Sequence, residues 1–196
     1  MPVVNTREYR ALVAPLKASS AKRIDSEKYV EGYATTFDTP YLMYELDGVK
    51  YYEEIDSRAL DGADMSDVIM QYDHSGRVFA RQSNNTLVLV PDHKGLLIGA
   101  DLDKTDQARS LYQDIEAGMI TKMSWAFTVA EESYDRSTRT RKILKIKKVY
   151  DVSAVSIPAN DGTTISARNY ATGRREAEKL EKLERRKARL KILATV

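Results

Sequence analysis

The rhythm of polar and apolar positions changes several times along the chain. From Met1 to about Lys28 the sequence is polar, contains Ser and Lys, and keeps no sustained period, which predicts a loosely ordered arm over residues 1–28. From Tyr29 onward short runs of apolar, β-branched and aromatic residues recur as KYVEGYATTF, DVIMQYDH, RVFAR, TLVLV and GLLIGADL. Such runs predict strands. The stretches between them, HSG, SNN and PDHKG, hold the Gly, Asn, Asp and Pro residues that reverse a chain, so neighbouring strands are expected to pair antiparallel, as a meander or barrel.

One helical period interrupts the strands. Thr105 is placed to cap it, Asp106 lies in its first turn and Gly118 follows its last. Ala108, Leu111, Tyr112 and Ile115 then fall on one side at the spacing of a helix docked on a sheet. TKMSWAFTVA returns to strand character, EESYDRSTRTRK reads as a charged loop or hairpin tip, and ILKIKKVYDVSAVSI alternates again until Pro158 stops it. The core domain is expected over residues 29–169.

Beyond Gly173 the composition shifts to good helix formers with opposite charges at helical spacing, in RREAEKLEKLERRKARLKIL, so residues 170–196 predict a charged helical tail. Ala177, Leu180, Leu183, Leu190 and Leu193 form a thin apolar line along it, too short for a sustained coiled coil. Two readings fit this tail: a solvated terminal helix, or one that binds a partner or a second copy.

Composition removes several classes of function. A chain of 196 residues with 42% hydrophobic and 31% charged side chains suits one globular domain with polar extensions. A net charge of +2 is too small to mark a nucleic-acid binder. With no cysteine there is no disulfide, no thiolate metal site and no cysteine nucleophile. No apolar run approaches the roughly 20 residues of a membrane span, so the chain is expected to be soluble, cytoplasmic at synthesis and free of membrane partners.

The candidate chemistry lies on the patterned segment. Of the two histidines, His74 follows a predicted strand in VIMQYDH, whereas His93 sits in the turn PDHKG. Neither has a carboxylate at a recognised metal-ligand spacing, so neither a metal nor a cofactor is expected. In KMSWAF a strand would put Met123, Trp125 and Phe127 on one face, and Ser124 with the small Ala126 on the other. A serine nucleophile and a serine making an ordinary strand hydrogen bond share this pattern. As a nucleophile Ser124 needs a base, and His74 can supply it. The third position falls to Asp151 in VYDVSAVSI, enclosed by apolar neighbours where a lone carboxylate is costly. Asp73 is a rival, although as the strand neighbour of His74 it should point the other way.

Taken in order, YDHS, GLLIGADLDKT, IEAGMITKMSWAF and YDVSAVSIPAN resemble the prohead proteases of tailed bacteriophages. These are capsid-maturation serine proteases related in fold to the herpesvirus assemblins. The resemblance covers about Tyr29 to Asn169, and its specificity lies in four motifs in sequence order. It implies a mainly β, α+β fold, a compact β-barrel flanked by helices, with the charged helix appended. By the same resemblance His74 falls on the family's catalytic histidine and Ser124 on its nucleophile, in a segment bounded by Gly118 and Phe127. Asp151 falls on the acidic position, which many members fill with glutamate. Ala126 stands where glycine is commoner; neither difference removes a catalytic group.

The implied function is a serine endopeptidase that cuts scaffold and major capsid protein precursors, and itself, inside an assembling procapsid in the host cytoplasm. The assemblins offer an analogy for self-association, but a shared fold does not fix the assembly state, and the sequence leaves it open. The competing reading is a noncatalytic capsid assembly or scaffolding protein; a third, a β-barrel ligand binder, leaves the ordered motifs unexplained. No sequence signal identifies oxyanion donors, because backbone N–H groups are present in every loop.

Overall fold

A computed structural model describes residues 7–12, 16–19, 22–156 and 161–193 of the chain. In chain order it contains β1 (Glu8–Leu12), β2 (Lys17–Ala18), β3 (Tyr29–Thr36), β4 (Tyr41–Leu46), β5 (Val49–Ile55), β6 (Ile69–Tyr72), β7 (Ser75–Arg81), β8 (Leu87–Pro91) and β9 (Gly95–Asp101). Helix α1 (Asp106–Glu116), β10 (Lys122–Asp135), β11 (Thr140–Val155) and helix α2 (Asp161–Leu193) follow. The larger sheet runs β1-β10-β11-β5-β4, with β6 also on β11 and β7 on β6; the smaller runs β2-β3-β9-β8.

The fold is α+β and mainly β, as expected, but neither sheet closes on itself among the described residues, so the expected barrel gives way to two open sheets. The reason lies in β11. This strand of 16 residues takes β10 along one edge and two parallel partners end to end along the other. Those partners are β5 at Thr140–Ile143 and β6 at Asp151–Ala154. Strands are therefore added along one long ribbon instead of around a ring. The charged stretch EESYDRSTRTRK belongs mostly to the two arms of the β10–β11 hairpin.

Between the sheets lies a continuous apolar core that includes Val30, Leu96 and Ile98 from the smaller sheet and Met70, Trp125, Phe127 and Val152 from the larger. Trp125 and Phe127 pack with ring centroids 4.2 Å apart. Burial of these side chains is the main favourable term holding β10 in place. Helix α1 closes one side of the core with Ala108, Leu111, Tyr112 and Ile115 buried. The Thr105 hydroxyl accepts from the Ala108 N–H at 3.1 Å, and Gly118 takes the left-handed φ of 72° that ends the segment.

The expected arm is corrected where it can be described. Residues Glu8–Leu12 form β1, which pairs antiparallel with β10 in the register Glu8↔Phe127 to Leu12↔Met123, and Lys17–Ala18 pair with β3. Their polarity concealed them, because Glu8 and Arg10 are buried in an ion cluster instead of facing water. The β4–β5 hairpin is a second addition: it turns at Asp47 and Gly48, both with positive φ. The tail helix starts earlier than expected, so the proposed domain end near Asn169 falls inside α2. Pro158 and the side chains of Leu190 and Leu193 lie outside the described residues.

Candidate active site

Four strands lay one row of side chains side by side. Ala11 of β1 is opposite Ser124 of β10, Ser124 is opposite Ser153 of β11, and Ser153 is opposite Gln71 of β6. The next row on the same face is Tyr9, Ala126, Asp151 and Ile69. Alternation sends Arg10, Trp125, Val152 and Met70 to the other face. The pairing slips just beyond this site: Ala126 pairs with Asp151 but Phe127 pairs with Val149, so Tyr150 is an extra residue beside Asp151. Such bulges re-aim side chains next to functional groups.

His74 reaches the face from the β6–β7 hairpin. Tyr72 pairs with Ser75, and the two residues between them, Asp73 and His74, have φ of 49° and 56°. Two successive left-handed residues suit the tight hairpin turn that matches strand twist, at a conformational cost for side chains other than glycine. Asp73 pins the turn by accepting from the Ser156 N–H at 3.0 Å and the Ser156 hydroxyl at 2.8 Å. Engaged there, Asp73 is not the partner of the imidazole.

The three remaining candidates meet. His74 Nε2 lies 2.6 Å from Ser124 Oγ, and His74 Nδ1 lies 2.5 Å from Asp151 Oδ1, joining segments 50 and 77 residues apart. With Nδ1–H donated to the carboxylate, the Nε2 lone pair faces the serine hydroxyl. The side chains of His74 and Asp151 are 4% and 3% exposed, and Ser124 is 1% exposed. The Tyr9 ring stands edge-on to the imidazole with centroids 4.8 Å apart. Water-poor surroundings strengthen each of these polar contacts.

Two contacts were not foreseen from the sequence. The Ser153 hydroxyl donates to Asp151 Oδ1 at 2.8 Å, and the Ser124 hydroxyl is also 3.0 Å from the Arg10 carbonyl oxygen, an acceptor. The i, i+2 spacing of Asp151 and Ser153 was visible in YDVSAV and places both on one face of a strand. Nothing local in EYRAL announces a neighbour of Ser124.

Beneath β1 lies a buried ion cluster. Arg10 bonds Glu53 through Nε at 2.6 Å and a terminal nitrogen at 2.9 Å, and Glu8 at 2.6 Å. Arg141 bonds Glu8 at 2.6 and 2.9 Å, Glu53 at 2.9 Å and Glu132 at 2.8 Å. Burial by itself pushes the Glu53 carboxyl up. The charges of Arg10 and Arg141, with hydrogen bonds from Arg10 and Tyr41, outweigh burial and hold it at about 2. Glu8 is likewise lowered, its burial overcome by the Arg141 hydrogen bond and by both guanidinium charges. The cluster fixes the strand whose carbonyl faces Ser124.

His93 is exposed in the turn between β8 and β9, remote in role from this face. Among the described residues no three His, Asp or Glu side chains gather to hold a metal ion. The arrangement at Ser124 has the chemistry of a serine hydrolase: a hydroxyl, a base in hydrogen-bond reach and a carboxylate oriented toward the base.

Comparison with known families agrees in class. The chain matches the family of caudovirus prohead serine proteases over residues 15–178, and it belongs to that family. Membership makes this a bacteriophage capsid-maturation protein of the serine peptidase class, one that works with capsid precursors in the assembling procapsid. No curated protein and no solved structure matches the chain. No helix among the described residues is long and apolar enough to cross a membrane.

Proposed function

We propose that the protein is the maturation endopeptidase of its procapsid, with Ser124 as nucleophile, His74 as general base and then acid, and Asp151 as the group that orients His74. The observation that carries this reading is the unbroken chain from Asp151 Oδ1 through His74 to Ser124 Oγ, at 2.5 and 2.6 Å. His74 Nε2 takes the proton as Ser124 Oγ bonds to the peptide carbonyl carbon. The imidazolium, paired with Asp151, returns that proton to the leaving amine as the C–N bond breaks. Water then attacks the acyl carbon as His74 accepts its proton, and the imidazolium returns that proton to Ser124 Oγ as the ester C–O bond breaks, which releases the new carboxyl group and restores the serine hydroxyl.

The proposed substrates are the scaffold, the major capsid protein precursor and other copies of this chain. Capsid proteins packed in a procapsid raise the local substrate concentration, so weak intrinsic affinity suffices. Helix α2 is the proposed tether. It is anchored through Arg136 and Glu181 at 2.5 and 2.6 Å and through Arg174 stacked 4.3 Å from the Tyr134 ring. Leu180 and Leu183 remain 61% and 47% exposed on it.

The test is co-expression with the capsid precursor from the same genome, read by intact mass. Wild-type chain should yield defined fragments of the precursor or of itself, and Ser124→Ala none. If particles form while every chain stays intact in both, the protein acts as a noncatalytic assembly factor.

A further inference from the structure

We propose that Ser153 is a positioning residue of this protease, acting on the reaction through Asp151; the inference rests on the triad reading above. The argument starts from an imbalance of charge. The side chain of Asp151 is 3% exposed, and among the described residues its one ion-pair partner is His74, which is cationic only when protonated. In the resting enzyme the imidazole must be neutral to act as a base, so the carboxylate is then buried without a counter-charge. A buried carboxylate in that state is retained only if hydrogen bonds replace its lost hydration.

Two donors do so, and both use the same oxygen. Asp151 Oδ1 receives the His74 Nδ1–H at 2.5 Å and the Ser153 hydroxyl at 2.8 Å. Ser153 is 0% exposed, so its hydroxyl has no competing bulk water. Two donors converging on one oxygen hold the carboxylate against rotation and keep that oxygen aimed at the imidazole. Register explains how the fold makes this arrangement. Ser153 is two residues beyond Asp151 on one face of β11 and directly opposite Ser124 on β10. The strand pairing that places the nucleophile therefore also places the donor behind the carboxylate. In this role Ser153 acts through the carboxylate: it stabilises the anion that later faces the imidazolium.

The test uses the full chain and a small fluorophosphonate, with labelling at Ser124 followed by intact mass and peptide mapping across reagent concentrations. Ser153→Ala should lower the saturating labelling rate about tenfold, the loss expected for one hydrogen bond to a charged group, with half-saturation within about twofold of wild type. Ser153→Thr, which keeps a hydroxyl, should recover most of that rate. In an Asp151→Asn background, Ser153→Ala should change the rate less than about twofold, because the two residues act as one unit.

An equal loss in both backgrounds overturns the inference, since it would make Ser153 a packing residue. So does an unchanged rate in Ser153→Ala, or a threonine variant that folds as wild type by circular dichroism yet labels as slowly as the alanine. If Ser124 takes no label even in the wild-type chain, the triad reading itself falls and this inference with it.

Discussion

Ser124 and Arg10 are 114 residues apart in the chain and meet at one hydrogen bond, the serine hydroxyl 3.0 Å from the arginine carbonyl. The hydroxyl has one proton and two acceptors, His74 Nε2 at 2.6 Å and this carbonyl. The N-terminal strand is therefore part of the setting of the nucleophile, held there by its pairing with β10 and by the ion cluster around the Arg10 side chain.

Arg10→Met removes one of the two guanidinium groups that share Glu8 and Glu53. Because Glu53 is fully buried, loss of a partner leaves charge uncompensated, and the expected destabilisation is about 3–5 kcal/mol. Urea unfolding measures it. A loss below about 1 kcal/mol would mean that β1 is not held by this cluster.

The same cluster sets an acid limit on stability. Burial raises the Glu53 carboxyl, but Arg10 and Arg141 bring it down to about 2, well below the usual carboxylate range. A carboxyl lowered on folding contributes stability that is fully present above its unfolded value. That stability is lost as pH falls from there through about 2, and Glu8 acts in the same direction. Thermal melts from pH 6 to pH 2 should show this decline. In Glu53→Gln it should be shallower, with lower stability at neutral pH; parallel curves for the two chains would contradict the assignment.

The helical tail offers a test that spares the fold. Leu180 and Leu183 are exposed, so changing both to Glu should leave the melting temperature within about 2 °C of wild type, as surface changes do. Copies of the protease per procapsid should nevertheless drop severalfold, as read by quantitative mass spectrometry of purified particles. Unchanged copy number would remove α2 as the tether.

Much of this architecture was readable in advance where local pattern and tertiary environment agree. Thr105, Gly118 and the four apolar positions between them mark α1 because capping and burial act within a few residues. KMSWAF alternates cleanly, so the face carrying Ser124 followed from it. What stayed hidden depended on distant partners. Glu8 and Arg10 look solvated until Glu53 and Arg141 are placed beside them. The β4–β5 hairpin buries Tyr51 and Glu53 instead of an aliphatic row, and only its Asp47–Gly48 turn gave a local cue. Barrel closure failed for a similar reason, since the end-to-end placement of β5 and β6 on β11 is a matter of pairing and leaves no periodic trace.

Removing either supporting member of the triad should slow precursor cleavage far more than it weakens precursor binding. His74→Ala is expected to reduce cleavage by about 10³-fold or more, and Asp151→Asn by a comparable factor, because it leaves the imidazole without an anionic partner. Cleavage assays with binding measured separately check this. Equal losses in binding and cleavage would indicate a folding defect.

The most direct measurement is the site of fluorophosphonate attachment on the full-length chain, mapped by tandem mass spectrometry in wild type, Ser124→Ala and His74→Ala. A single adduct on Ser124 in the wild type, absent from Ser124→Ala and strongly reduced in His74→Ala, is the predicted result. An adduct elsewhere, or labelling of Ser124 that persists at the wild-type rate without His74, would contradict the triad.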